Sequence, residues 1–208
     1  MVINELKSGP IAEKTSDAND QHYEVPPAFF ELVLGKHMKY SCSQFDSKSD
    51  DLDQAEQNML QLYLDRAGIQ ANQNILDLGC GWGSFSLYAA AKSPTSKFTA
   101  VSNSKDQINF INEEAAKRGL KNLTALQKNI NEMRFNETFD RVISIEMFEH
   151  MRNYESLLSK VSNFLKPNGE LFVHIFCHRF ACYLYEAKND SDWMTKNFFE
   201  GGIMPSED

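Results

Sequence analysis

The chain has 208 residues, 42% of them hydrophobic and 15 of them Phe, which suffices for one globular core of ordinary size, and it carries a formal net charge of -8. No cluster of Lys or Arg interrupts that acidic balance, which argues against a nucleic-acid surface or an anionic-membrane patch and for a small-molecule partner. The first 20 residues are polar and no apolar run approaches a membrane span, so a cytoplasmic protein without a transmembrane segment is expected; Cys42, Cys80, Cys177 and Cys182 lack CxxC spacing, which predicts reduced thiols with neither a metal site nor a disulfide framework.

Residues 1–20 carry Lys, Ser, Asp and Asn without apolar periodicity and read as a disordered leader. Residues 21–68 are rich in aromatics and read as a helical cap. Within it, Pro27 to Leu34 predicts a helix with Phe30, Val33 and Leu34 along one side; Asp46 to Asp53 then leads into a helix in which Ala55, Met59, Leu62 and Tyr63 share a face, closed by Gly68. From residue 69 strand and helix alternate. Strands are expected at 75–78, 98–101, 123–127, 142–145 and 171–176, and helices at 84–92, 104–118 and 154–165, with a turn at Pro167-Asn168-Gly169. Such alternation predicts an α/β fold, a doubly wound parallel sheet covered by helices.

In a parallel sheet a ligand sits beyond the carboxyl ends of the strands, and the first strand-to-helix turn is the usual cradle. Gly79, Gly81 and Gly83 fall in that turn, with Asp77 at the strand end. The GxGxG spacing followed by Ser84 differs from the GxGxxG of dinucleotide binders, so a nucleoside with a zwitterionic tail fits better than a pyrophosphate. A bare turn, or a nicotinamide dehydrogenase suggested by the glycines alone, are the competing readings. After the fourth strand, Glu146, Glu149 and His150 place two carboxylates and an imidazole within five residues. Either they form an active-site face, or they are a solvated turn with His150 capping the helix that starts near Asn153. His174 interrupts the apolar strand LFVHIF, where a lone His is commonly a hydrogen-bonded core residue.

ILDLGCGWGSFSLYAA resembles the first motif of class I S-adenosylmethionine-dependent methyltransferases, particularly those of the cyclopropane fatty acid synthase family. HYEVPPAFFELVLGKHMKYSC, VSNSKDQ, SIEMFEHMRNYESLL and GELFVHIFCHRF resemble its coclaurine-type N-methyltransferase branch, over about residues 20 to 208. The resemblance implies a Rossmann-like methyltransferase sheet with residues 69–208 as the donor-binding domain, S-adenosylmethionine as cofactor, and a small-molecule acceptor, a cyclic amine in the N-methylating branch.

By that resemblance Gly79, Gly81 and Asp77 cradle the donor. Ser102 and Gln107, with Asn103 between them, hold the ribose in place of the acidic residue used by many methyltransferases; Asn129 and Ile130 meet the adenine; Tyr40 and Ser41 reach the carboxylate end. Each has a plainer reading from its residues alone: Ser104 to Gln107 is a capping box, Ile130 a core aliphatic, Tyr40 a packing aromatic. For the chemistry, the resemblance implies that Glu149 and His150 take the ammonium proton while Glu146 lines the pocket. In the carbon-methylating branch, residues matching Cys42, Glu149 and His174 hold a bicarbonate ion, so cyclopropane-type methylation of an unsaturated lipid is the alternative; Cys42 by itself reads as a small buried hydrophobe. A non-catalytic donor-binding domain is a third reading, against which the retained Glu146, Glu149 and His150 speak.

The methyltransferase sheet normally has seven strands, and five are visible here. The final stretch DWMTKNFFEGGIMPSED resembles the segment that follows the fifth strand in the family, so the resemblance implies a C-terminally truncated chain lacking the edge hairpin and part of the acceptor pocket. An unpaired sheet edge would favour association with another chain, a homodimer being the simplest form.

Overall fold

A computed structural model describes residues 6–13, 27–187, 189 and 191–207; the expected leader at 1–5 and 14–20, and the start of the cap at 21–26, lie outside the described residues. Strands β1 (Asn74–Leu78), β2 (Lys97–Ser102), β3 (Leu123–Gln127), β4 (Phe139–Ile145) and β5 (Leu165–His174) form one sheet in the order β3-β2-β1-β4-β5, with every neighbour parallel. The order reverses between β1 and β4, which opens a crevice beyond their carboxyl ends.

Alternation along β1 sets the layers. Ile75 packs with Leu60, Phe85, Ile108 and Ile111, whereas Leu76 and Leu78 pack with Val142, Leu157 and Val161. One face is therefore covered by α2 (Leu52–Arg66), α3 (Ser84–Lys92) and α4 (Lys105–Lys117), and the other by α5 (Tyr154–Phe164). Both faces are covered by helices, as a doubly wound parallel sheet requires. The strands and helices fall where the periodicity puts them, to within a few residues. The turn at Asn168, with φ of 65°, lies inside β5: pairing jumps from Phe139 opposite Leu165 to Arg141 opposite Glu170.

The cap departs from the pattern in three respects. In α1 (Pro27–Val33) only Phe30 is buried, against Trp82, while Val33 stays 49% exposed, because a single ring rather than a stripe anchors this helix. The buried face of α2 is Ala55, Glu56, Leu60, Tyr63 and Leu64, so Met59 and Leu62 border the stripe instead of forming it. Glu56 is inside because its carboxylate accepts from the backbone N–H of Gly35 at 2.9 Å, His37 at 2.8 Å and Lys39 at 3.2 Å.

Residues 6–13, read as leader, dock instead. Ile11 and Ala12 are buried, Asn131 exchanges two hydrogen bonds with the backbone of Ala12, and Arg152 N–H donates to the Ile11 carbonyl. Two apolar residues and satisfied backbone groups outweigh the polar composition that suggested disorder. Beyond β5 the chain forms a short antiparallel ribbon, β6 (Tyr183–Leu184) with β7 (Ile203–Met204), for which the sequence gives no strand signal. Among the described residues no helix is long and apolar enough to cross a membrane.

Candidate active site

The β1-to-α3 turn opens onto a cavity of about 570 Å³. Gly79, Gly81 and Gly83 all have positive φ, 83°, 52° and 76°. At Gly83 a Cβ would lie 2.5 Å from Ile111 Cγ1, so the glycine is needed for packing as well as for φ; at Gly81 a Cβ would meet nothing within 4 Å. The turn thus leaves open space where Gly81 faces the cavity. Asp77, at the end of β1, accepts a 2.6 Å hydrogen bond from Ser86 Oγ, and burial pushes its pKa up to about 7.

At the end of β2, Ser102 Oγ donates to Gln107 Oε1 at 2.6 Å, and Ser104 Oγ accepts from the Gln107 N–H. The capping reading of Gln107 holds, and its side chain lines the cavity as well. Asn103, Asn129 and Ile130 line the same wall, Ile130 being buried on its other side in the core, as its plainer reading required. Tyr40 and Ser41 reach it from the cap, where Glu56 holds the backbone up to Lys39. All ten expected donor contacts therefore meet around one space, drawn from four separate stretches of chain.

Glu146, Glu149 and His150 line the opposite end. Glu149 is no solvated turn residue: it is fully buried, and neither carboxylate oxygen has a hydrogen-bond partner among the described residues. Burial, reinforced by the nearby Glu146 carboxylate, pushes its pKa up to about 9. His150 does not cap the next helix, whose N-cap is Asn153 with its side chain accepting from the Ser156 N–H; instead its ring stacks on Phe199 at 5.4 Å. Glu146 has φ of 51°, a left-handed backbone for a non-glycine residue, and such strain concentrates at functional sites.

Cys42 and His174 do not line the cavity. They lie behind Glu146, with Cys42 Sγ 4.0 Å from His174 Nε2 and His174 Nε2 3.8 Å from Glu146 Oε1. Glu146, at the end of β4 beside β5, shares this group with Cys42 and His174, and Glu149 lies next to Glu146. The ligand atoms of Cys42, Glu146 and His174 lie within 4.8 Å of one another, a spacing a cation can use, which no CxxC or His-rich pattern announced. Cys42 is exposed rather than a buried hydrophobe, and His174 is hydrogen-bonded through Nδ1 to the Tyr63 hydroxyl at 2.6 Å.

Other residues were not read from sequence. Phe176, Trp193, Met194, Phe198 and Phe199 line the cavity as well, Phe199 against His150, so the stretch after β5 supplies an aromatic wall that its composition, DWMTKNFF, could have announced. Lys39 and Tyr63 carried no such signal: a Lys within an aromatic segment and a Tyr in a helical stripe look like surface and core. The site can therefore hold a polar, nucleoside-like ligand at one end, and at the other receive a cation beside carboxylates and aromatic rings.

The family described as "Mycolic acid cyclopropane synthetase" matches residues 12–208. The chain belongs to this family. It is 42% identical over 203 residues to an (S)-coclaurine N-methyltransferase of Thalictrum flavum subsp. glaucum, covering 98% of this chain and 56% of that protein. A pavine N-methyltransferase of the same plant is 37% identical over 199 residues, covering 96% and 56%. A crystal structure of coclaurine N-methyltransferase bound to N-methylheliamine and SAH superposes with a TM-score of 0.93 at 40% identity, covering 99% of this chain and 60% of that one. The chain thus spans between half and two thirds of the length of the relatives it matches.

Proposed function

We propose that this chain carries the donor site and part of the acceptor site of an S-adenosylmethionine-dependent methyltransferase acting on the nitrogen of a small cyclic amine. The observation that carries the reading is Glu149, a buried carboxylate without a partner in the same cavity that begins at the glycine turn. The relatives' names, with SAH beside an N-methylated ligand in one of them, support it.

The residues present suit the donor. The open side of Gly81 gives room for close backbone approach, and Ser102, Gln107, Asn103, Asn129 and Asp77 offer polar atoms for a nucleoside, with Ile130 as an apolar surface for its base. Tyr40 and Ser41, which line the same cavity, would meet the amino-acid end. S-adenosylmethionine supplies a methyl group on a sulfonium, open to in-line attack. The chain's part is to align the amine and free its lone pair. An ammonium N–H bond breaks, its electron pair stays on nitrogen, and the proton passes to the Glu146–Glu149 carboxylate pair or to the His150 imidazole. With the donor bound, the freed lone pair would take its methyl group, the S–CH3 bond breaking as the N–CH3 bond forms. The aromatic wall of Phe176, Trp193 and Phe199 holds the cation in place.

The alternative, carbon methylation of a lipid alkene with bicarbonate held at Cys42, Glu149 and His174, draws support from the family's name. Against it, the Glu146 carboxylate already faces Cys42 and His174, and a second anion there would be repelled. Calorimetry with S-adenosylmethionine on the protein and on Glu149→Ala, followed by turnover, tests the assignment. Equal donor affinity with turnover lost in the variant is expected. Unchanged product formation removes Glu149 from the mechanism.

A further inference from the structure

The cap carries a buried cation. Lys39 is 2% exposed, and among the described residues its Nζ touches neutral groups: it donates to Ser41 Oγ at 2.6 Å and to the Tyr63 hydroxyl at 3.2 Å, and it lies 4.9 Å from the centroid of the Tyr63 ring. Burial pushes its pKa down to about 8, with Cys42, Glu146 and Glu56 resisting from a distance. Among the described residues no carboxylate forms an ion pair with it, the Glu146 carboxylate lying instead against His174. A charge taken out of water is ordinarily matched by an opposite one, so this site is short of an anion.

Both ends of Lys39 are fixed. Its backbone N–H donates to Glu56 Oε1 at 3.2 Å, and its side chain runs to the hydroxyl of Ser41, two residues on. An ammonium only donates, so Ser41 Oγ is the acceptor in that bond and the Ser41 hydrogen is left for another partner. On one side is the Tyr63 oxygen, which already accepts from Lys39 and lies 2.6 Å from His174 Nδ1. On the other is the cavity, which Ser41 lines together with the glycine turn. A hydroxyl that accepts from a cation becomes a stronger donor, because the two bonds polarise one another. Ser41 thus offers the cavity a donor backed by a positive charge, an arrangement suited to a carboxylate.

We infer that Lys39, acting through Ser41, is a positioning residue that selects a donor bearing a carboxylate, the ligand supplying the negative half of a buried charge pair. S-adenosylmethionine ends in an α-amino acid and so carries the required group. A nucleoside ligand without it leaves the cation unmatched. Lys39 does not itself line the cavity, so it works by charge and by orienting Ser41 rather than by contact. This role rests on the donor reading above and holds whatever the methyl acceptor is.

Calorimetry with S-adenosylhomocysteine and with its decarboxylated analogue, which keeps the nucleoside, the sulfur and the amine, tests the role without turnover. The parent is expected to bind S-adenosylhomocysteine at least about tenfold more tightly than the analogue. Lys39→Met is expected to remove most of that preference by weakening the carboxylate-bearing ligand alone. A Lys39 that merely braced the cap would weaken both ligands by the same factor. Ser41→Ala is expected to lose the same preference, and it carries the test should Lys39→Met melt early. Equal weakening of both ligands in Lys39→Met, a preference left intact in Ser41→Ala, or no preference in the parent overturns the proposal. Failure of the parent to bind either ligand sinks the donor reading itself, and the role of Lys39 with it.

Discussion

Glu146 and His174 are joined through the backbone: the Glu146 N–H donates to the His174 carbonyl at 2.8 Å while Glu146 itself sits at φ of 51°. The strand-end hydrogen bond and the left-handed turn together aim the carboxylate at the imidazole across β4 and β5. An L side chain in this conformation costs about 1–2 kcal/mol, and glycine avoids most of that cost. Glu146→Gly is therefore expected to be more stable than Glu146→Ala by about 1 kcal/mol, the reverse of the order in a regular strand. Urea unfolding of the two variants measures the difference.

Glu149 makes stability depend on pH. Its pKa rises from the ordinary 4.5 to about 9 in the folded chain, so between those values the folded state holds a proton that the unfolded state has released. Stability must then fall as pH rises through that window. Glu149→Gln removes the titration and is expected to be more stable than the parent by at least about 1 kcal/mol at pH 8, with little difference at pH 4. Asp77, raised from 3.8 to about 7, contributes a smaller fall of the same sign that the variant retains. Thermal melts across pH 4 to about 9 check the slope.

The glycine turn separates packing from ligand approach. Gly83→Ala drives a methyl into Ile111 at a positive φ and is expected to cost about 2–4 kcal/mol of stability. Gly81→Ala meets open space and is expected to cost only about 1–2 kcal/mol, yet to weaken donor binding at least about tenfold because it adds a methyl at a cavity-lining position. Unfolding curves and calorimetry with S-adenosylmethionine distinguish the two. Equal donor affinity in Gly81→Ala and parent would remove the turn from the donor site.

Glu56 acts at a distance. Its carboxylate holds three backbone N–H groups of the segment leading to Tyr40 and Ser41, and hydrogen bonds to a charged group contribute about 1.5–3 kcal/mol each. Glu56→Ala is expected to lose about 2–4 kcal/mol and to weaken donor binding, although Glu56 does not line the cavity. Limited proteolysis should show cleavage near Gly35 to Lys39 before the sheet is attacked.

The sheet and the glycine turn were legible because they rest on local patterns, whereas the other cavity-lining residues on that side, such as Tyr40, Ser102 and Gln107, were expected only from the family resemblance. Apolar runs of strand length, helical periodicity and the glycine spacing each state their structure within about ten residues. The end of the site around Glu146 and Glu149 rests on contacts far apart in the chain. Cys42 and His174 meet across 132 positions, and Tyr63 looked like an ordinary stripe residue until its hydroxyl was found against His174. Glu149 illustrates the same limit: a charge in this string can read as solvated, and its burial depends on contacts distant in sequence, such as those of its turn with β7. The docking of Ile11 and Ala12 was hidden in the same way, by polar neighbours in sequence and apolar ones in space.

Amine methylation is tested most directly by supplying the protein with methyl-labelled S-adenosylmethionine, a benzylisoquinoline-like secondary amine and unsaturated phospholipid vesicles together, and locating the label by mass spectrometry. Label on the amine nitrogen, lost in Glu149→Ala while the donor still binds, is the expected result. Label found only in the lipid contradicts it.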